Sequence, residues 1–230
     1  MDVKPSCRFQ QIFLNELFLV SRGLQKKKLM LNKKNFILIV SLSAVLLFSC
    51  SPKNISSKYY YENEKVLDRI EESYKALYPL GPFNVGFTDR DFKTVSLEII
   101  TDTLSYIYEF GIEEPRLRDT LKTYDLNAAK INTLIKQMHD IRCTWINYSE
   151  YYVDEKKQTM ILMSIKPVAL KSLFSYAKYY VLTYFPQPQY FDSEGRLLDK
   201  RRMRRLRKIN GEVFKRINSK VCYAVTGHFR

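Results

Sequence analysis

Histidine, tryptophan, cysteine and glycine are all scarce in this 230-residue chain. His139 and His228 are the only histidines, so no HExxH pair exists to hold a catalytic zinc. The four cysteines occur singly, which excludes the paired spacings of a structural zinc site. Seven ungrouped glycines supply no phosphate-cradling loop, and no nucleophile elbow of the GxSxG type is present. Adjacent acids such as Glu71-Glu72 and Glu113-Glu114 diverge by about 100° on a helix and form no matched acid–base pair. Asp89 and Asp91 flank Arg90, and their ordinary role is to cap a helix. The expectation is therefore a non-enzymatic protein with no catalytic residues, no metal and no cofactor. An enzyme of unrecognised type remains the alternative, because folding also brings distant carboxylates together.

A spanning hydrophobic run is missing as well. The strongest apolar stretch, Phe36 to Phe48, has thirteen residues. A membrane-crossing helix needs about 20, because the hydrocarbon core is about 30 Å thick and a helix rises about 1.5 Å per residue. Thirteen suits the hydrophobic region of a signal peptide, and Lys33 and Lys34 supply its positive flank. The run ends on Leu47-Phe48-Ser49-Cys50. This resembles the lipobox of bacterial lipoproteins, with an apolar residue three before the cysteine and a small residue directly before it. Phe48 is bulkier than that pattern usually has. The resemblance covers only about 20 residues and implies diacylglycerol on the Cys50 thiol, followed by cleavage before it. Each buried lipid CH₂ contributes roughly 0.8 kcal/mol, so two or three chains anchor stably. Ser51 in place of aspartate is compatible, in that family, with sorting to the outer membrane. Met30 begins a stretch of normal signal-peptide length, so residues 1–29 read as an N-terminal extension. The expected organisation is an extension and signal peptide over 1–49, a polar tether over 50–58 and one globular domain over 59–230.

What the chain does contain is tyrosine, apolar bulk and positive charge. Hydrophobic residues make up 46% and aromatics 14%, which argues for a folded body over a disordered one. The formal charge is +14, and residues 1–49 contribute +6 of it. Residues 196–220 alone carry +9, so the rest of the mature domain is nearly neutral. With Cys7 and Cys50 set aside, Cys143 and Cys222 are the pair available for a disulfide in an oxidising compartment. Buried free thiols are the alternative.

Periodicity predicts α+β, with an antiparallel sheet of about four strands and helices packed on one face. Val66, Leu67, Ile70, Tyr74 and Leu77 fall at helical spacing, and Pro79 and Gly81-Pro82 end that helix. Residues 91–110 fit both periods. Their length and Gly111 favour a helix capped by Asp89 or Asp91 over an alternating strand. "EEPRLRDTLKTY" reads as a short helix with Pro115 in its first turn. "NAAKINTLIKQMHDI" is the clearest helix, with Ile131, Leu134, Ile135, Met138 and Ile141 on one stripe. "TWINYSEYYV" and "TMILMSI" read as a hairpin around a charged loop, and "YAKYYVLTYF" and "VCYAVTGHF" as two further strands. Exposed tyrosines on such strands suit glycans or peptides, but tyrosine also suits half-buried strands with no ligand. Trp145 reads as core.

"LLDKRRMRRLRKINGEVFKRI" reads as a basic amphipathic helix with Leu198, Leu206, Ile209, Val213 and Ile217 on its apolar side. Arg201, Arg202, Arg204, Arg205, Arg207 and Lys208 form its polar surface, and guanidinium groups in that density suit phosphate or carboxylate. Behind a lipid anchor the expected partners are the membrane itself, an anionic lipid or an acidic envelope protein, and not nucleic acid. Nucleic acid becomes the expected ligand only if the lipobox is unused and the chain is cytosolic.

Overall fold

The structure, a computed structural model, describes residues 52–153, 155–168, 178–199 and 205–226. Cys50, Arg201, Arg202 and Arg204 lie outside the described residues, as does the whole stretch read as extension and signal peptide. The body is α+β, with three α-helices and an eight-stranded antiparallel sheet among the described residues. In chain order the principal elements are α1 (Pro52–Leu77), β1 (Phe83–Phe87), β2 (Thr94–Ile100), β3 (Ser105–Gly111), α2 (Pro115–Thr123), α3 (Ala128–Ile141), β4 (Cys143–Val153), β5 (Lys156–Val168) and β6 (Lys178–Tyr184). Six shorter or later strands follow: β7 (Tyr190–Phe191), β8 (Leu197–Leu198), β9 (Lys208–Ile209), β10 (Glu212–Val213), β11 (Lys215–Arg216) and β12 (Val221–Thr226). The large sheet runs β11-β12-β6-β5-β4-β1-β2-β3, and β7–β8 and β9–β10 form separate two-stranded pairs.

The helices form where their apolar stripes predict them. Leu67, Ile70, Tyr74 and Leu77 of α1 are buried, and so are Leu117 and Leu121 of α2. On α3 the buried stripe is Ile131, Leu134, Ile135 and Met138. Asn127 caps α3 by accepting a hydrogen bond from the Lys130 amide at 3.1 Å, and Arg142 ends it in the left-handed region at φ 58°. Pro115 occupies the first turn of α2, where no amide hydrogen is needed.

Four expectations are corrected. The stretch read as a tether is already helical from Pro52, and Ser56 within it is fully buried. Residues 94–111 are the β2–β3 hairpin instead of a helix. β-Branched Thr94, Val95, Ile99 and Ile100 favour the strand, and alternate residues of β2 are buried. Thr101 closes the turn: its hydroxyl donates to the Leu104 carbonyl and accepts from the Leu104 amide. Asp89 caps this loop and not a helix, taking the amides of Lys93 and Thr94 at 2.9 Å. Those bonds, the Thr94 amide first, hold its carboxyl below the usual range.

The basic helix is the third correction. Among its described residues are the two-stranded β9–β10 hairpin and strand β11. Asn210 and Gly211 turn β9 into β10 at φ 52° and 81°, a backbone that no right-handed helix contains. Asn-Gly is a strong hairpin signal, and it outweighs the helical spacing of the flanking apolar residues. Finally, the sheet has twice the expected number of strands, because β1, β2, β3 and β11 were not foreseen. The four strands that were foreseen, β4, β5, β6 and β12, are contiguous in it, with β11 beyond β12 and β1, β2 and β3 beyond β4.

Strand alternation divides the buried side chains into two apolar clusters on opposite faces. The first takes Phe83, Val85, Leu97, Ile146, Met163, Leu182 and Tyr223, and it holds the buried apolar side chains of all three helices. The second takes Met160, Leu162, Val181, Cys222 and Ala224, and is covered by Leu197, Ile209 and Phe214 from the C-terminal segment. A bulge between Cys143 and Trp145 switches the parity of β4 at its start.

Candidate functional site

The basic residues divide sharply once the chain is folded. Arg207 is only 8% exposed. Its Nε donates to Asp199 Oδ1 at 3.1 Å, and its terminal nitrogens donate to the Asp199 carbonyl at 2.5 Å and to Gln189 Oε1 at 3.0 Å. Its guanidinium lies 5.8 Å from the centre of the Tyr151 ring. Arg207 therefore pins the C-terminal segment onto the second face. Arg205 is a solvent cation, 82% exposed and 3.9 Å from Asp199. Lys208 is exposed on β9. The six basic residues do not form one helical surface over their described part.

Cys143 and Cys222 are free thiols. Three strand-to-strand steps, β4 to β5 to β6 to β12, separate them, which is about 14 Å at the usual sheet spacing. Their side chains also belong to different clusters. A disulfide needs Cα atoms within about 7 Å, so the expected pairing is corrected. Burial pushes the Cys143 thiol up to about 12 and raises that of Cys222 as well. Both are inert core groups.

Some strand tyrosines are also core. Tyr151, Tyr180, Tyr184 and Tyr223 are buried, while Tyr106, Tyr152 and Tyr190 are exposed. Trp145 departs from its expected place: it is half-buried, on the second face, and outside both apolar clusters. Gly86 on β1 pairs with it, and a Cβ there would come within 2.5 Å of the indole Cδ1. Glycine is required at this point so that the indole can lie across β1.

Register places polar groups around that indole. One row across the sheet reads Glu109, Ser96, Gly86, Trp145 and Ser164. The adjacent row brings Ile107, Glu98 and Asn84 beside one another, and Asn147 lies two residues beyond Trp145 on β4. Asn84 is fixed from both sides. Its Oδ1 accepts from the Tyr74 hydroxyl at 3.1 Å, and its Nδ2 donates to Glu98 Oε2 at 2.8 Å. β1 pairs with β4 only through Val85 and Gly86, and the Tyr74 hydroxyl also donates to the Phe83 carbonyl at 2.6 Å. Burial, before any neighbouring charge, raises the Tyr74 phenol well above its ordinary value, so it stays a donor. Asn147 Oδ1 and Ser164 Oγ are buried atoms with no hydrogen-bond partner among the described residues.

The second face thus has two halves. Over β5, β6 and β12 it is mainly apolar and covered, and over β1, β2 and the start of β4 it is polar, with Asn84 and Gly86 buried and Ser96, Glu98, Trp145 and Asn147 half-buried. The signal for this half was present in the alternation Trp145-x-Asn147-x-Ser149 and in Asn84-x-Gly86, but only the pairing register shows that these runs are neighbours. Elsewhere, a cleft of about 370 Å³ lies between Leu77, Leu80, Phe83, Leu126 and Ile131, with Asp125 and Asn127 among its lining residues. Among the described residues no three His, Cys, Asp or Glu side chains gather as metal ligands. His139 is exposed on α3, against the edges of Phe87 and Phe92. No described helix is long and apolar enough to cross a membrane. Compared with known proteins, the chain matches no family model, no curated protein and no solved structure.

Proposed function

We propose that this chain is a lipid-anchored protein of the bacterial cell envelope, held at the outer membrane through Cys50 and acting by binding instead of catalysis. The observation that carries the anchor is the sequence Leu47-Phe48-Ser49-Cys50 behind a thirteen-residue apolar stretch and two lysines. The helix α1 begins at Pro52, so Ser51 alone separates the lipid-bearing residue from the folded body. A lipid at Cys50 would keep the domain close to the bilayer surface. Exposed Arg205 and Lys208 suit an anionic headgroup or an acidic envelope protein at that surface, at roughly 1 kcal/mol per basic residue near an anionic membrane.

The test expresses the chain with its own N-terminus beside Cys50→Ser. Detergent partitioning and intact mass are then measured for both. Wild type should enter the detergent phase with the mass of a chain cleaved before Cys50 and carrying lipid, and the variant should do neither. A soluble, uncleaved wild type would reject the anchor and return the basic residues to a test against nucleic acid.

A further inference from the structure

We propose that the outer edge of β3 is a self-association surface, where a second copy of this chain adds its own β3 antiparallel about a twofold axis through Ile107. The two ends of the large sheet are unlike. At one end stands β11, two residues long and both basic, Lys215 and Arg216, a common protection of an edge against added strands. At the other end stands β3, Ser105–Gly111, with no lysine, arginine or proline and an unbroken register of seven pairs with β2. Large apolar side chains are exposed along it: Leu104, just before the strand, at 58%, Tyr106 at 40% and Ile107 at 69%.

Backbone bonding fixes which groups point outward. The Ile112 amide donates to the Lys93 carbonyl and the Thr101 amide to the Leu104 carbonyl, each at 2.9 Å. Antiparallel strands exchange bonds at every second pair, so Leu104, Tyr106, Tyr108 and Phe110 turn their backbone groups to β2. Ser105, Ile107 and Glu109 turn theirs away from it. The row closes at Gly111, whose amide donates to Glu114 Oε2 and whose carbonyl accepts from the Glu114 amide, both at 2.9 Å. Among the described residues no strand pairs with the outward groups of Ser105, Ile107 and Glu109.

Self-complementarity selects the occupant. With the axis at Ile107, Ser105 faces Glu109 of the second copy, Ile107 faces Ile107, and Glu109 faces Ser105. All are outward residues, so they exchange about six hydrogen bonds across the axis. The side chains agree on both faces. Ile107 meets its symmetry mate on the second face, while Leu104 comes opposite Phe110 and Tyr106 opposite Tyr108 on the helix face. Glu109, the only charge of the strand, meets a hydroxyl. The two Glu109 residues stay about 14 Å apart along the strands, beyond the screening length at physiological salt. An unrelated peptide matches this row only if its own sequence supplies the pattern, whereas a second copy supplies it by symmetry and closes the contact. The inference does not rest on the anchor, so the dimer should form with and without lipid at Cys50.

The full chain and Cys50→Ser are followed by sedimentation in mild detergent over a concentration series. Both should show a monomer–dimer equilibrium. Ile107→Lys, and Ile107→Pro, which removes only an outward amide, should each weaken dimerisation at least tenfold with the far-ultraviolet spectrum unchanged, while Arg205→Glu should not. Register is read by copper-phenanthroline oxidation. Ile107→Cys should give a covalent dimer, because directly paired residues lie within disulfide reach. Ser105→Cys alone should not, but mixed with Glu109→Cys chains it should. A chain that is monomeric throughout, whether or not it captures an extended peptide, overturns the inference. So does association that survives both Ile107 variants, as sharing of a detergent micelle would, or cross-linking by Ser105→Cys alone that equals that of Ile107→Cys.

Discussion

The two faces of the sheet are built by different means. The helix face is a continuous apolar layer in which Phe83, Val85, Leu97, Ile146 and Leu182 meet the buried stripes of three helices. The opposite face has a smaller apolar cluster, covered by short strands and turns, and beside it a polar half with no helix over it among the described residues. Periodicity explains why one face was easier to foresee. A helix that covers a sheet announces itself by a 3.6-residue stripe, whereas a covering of two-residue strands and turns carries no period. Most of the described apolar core therefore lies on the helix face.

The comparison can be broken at three places, in decreasing order of expected effect. Phe83→Ala removes a fully buried ring packed edge-on to Tyr74 at 5.3 Å. It should cost about 3–5 kcal/mol in urea unfolding. A loss near zero would mean that the helix face does not carry the core. On the opposite face, Arg207→Met should cost about 2 kcal/mol, because it strips Asp199 and Gln189 of their buried donor. Arg205→Met, with a solvent-exposed pair, should stay within about 0.5 kcal/mol. Equal losses for the two arginines would show that the C-terminal cover is not pinned as described. The third place to break is the link between the faces. Tyr74→Phe keeps the ring in the core and removes the hydroxyl from Phe83 and Asn84, for about 1–2 kcal/mol. Faster hydrogen exchange at the amides where β1 and β4 diverge would locate that loss, and unchanged exchange there would separate Tyr74 from the junction.

The parts of the fold that were legible are the ones whose period is unambiguous. α1, α2 and α3 were foreseen from their stripes, as were the β4–β5 hairpin, β6 and β12. β2 and β3 were not, because Leu97, Ile100, Leu104 and Ile107 satisfy a helical spacing while Leu104, Tyr106, Tyr108 and Phe110 satisfy a strand. The β-branched residues and the Thr101 turn decide between them. At 197–217 the apolar residues satisfy a helical spacing, and Asn210-Gly211 turns the segment into a hairpin instead. Three of the five residues of the β4–β5 loop expected at 154–158 are strand, with Val153 pairing directly with Lys156. Of the candidate site, the cations were visible in sequence and the roles of Arg207 and Trp145 were not. Arg207 became internal only because Asp199 and Gln189, 8 and 18 residues away, fold beside it. Trp145 lies across β1 only because its strand partner is Gly86, 59 positions earlier in the chain.

By itself the sequence determined the class of the fold, the three helices and the lipobox-like segment that motivates an anchor, since each is written in local spacing. Tertiary structure decided which strands are neighbours, which arginine is a pin and which is exposed, and which part of the second sheet face is apolar and which polar. Those outcomes depend on pairing register and on distant segments laid over the sheet, and a two-residue period states that a strand has two faces without stating what will cover either one.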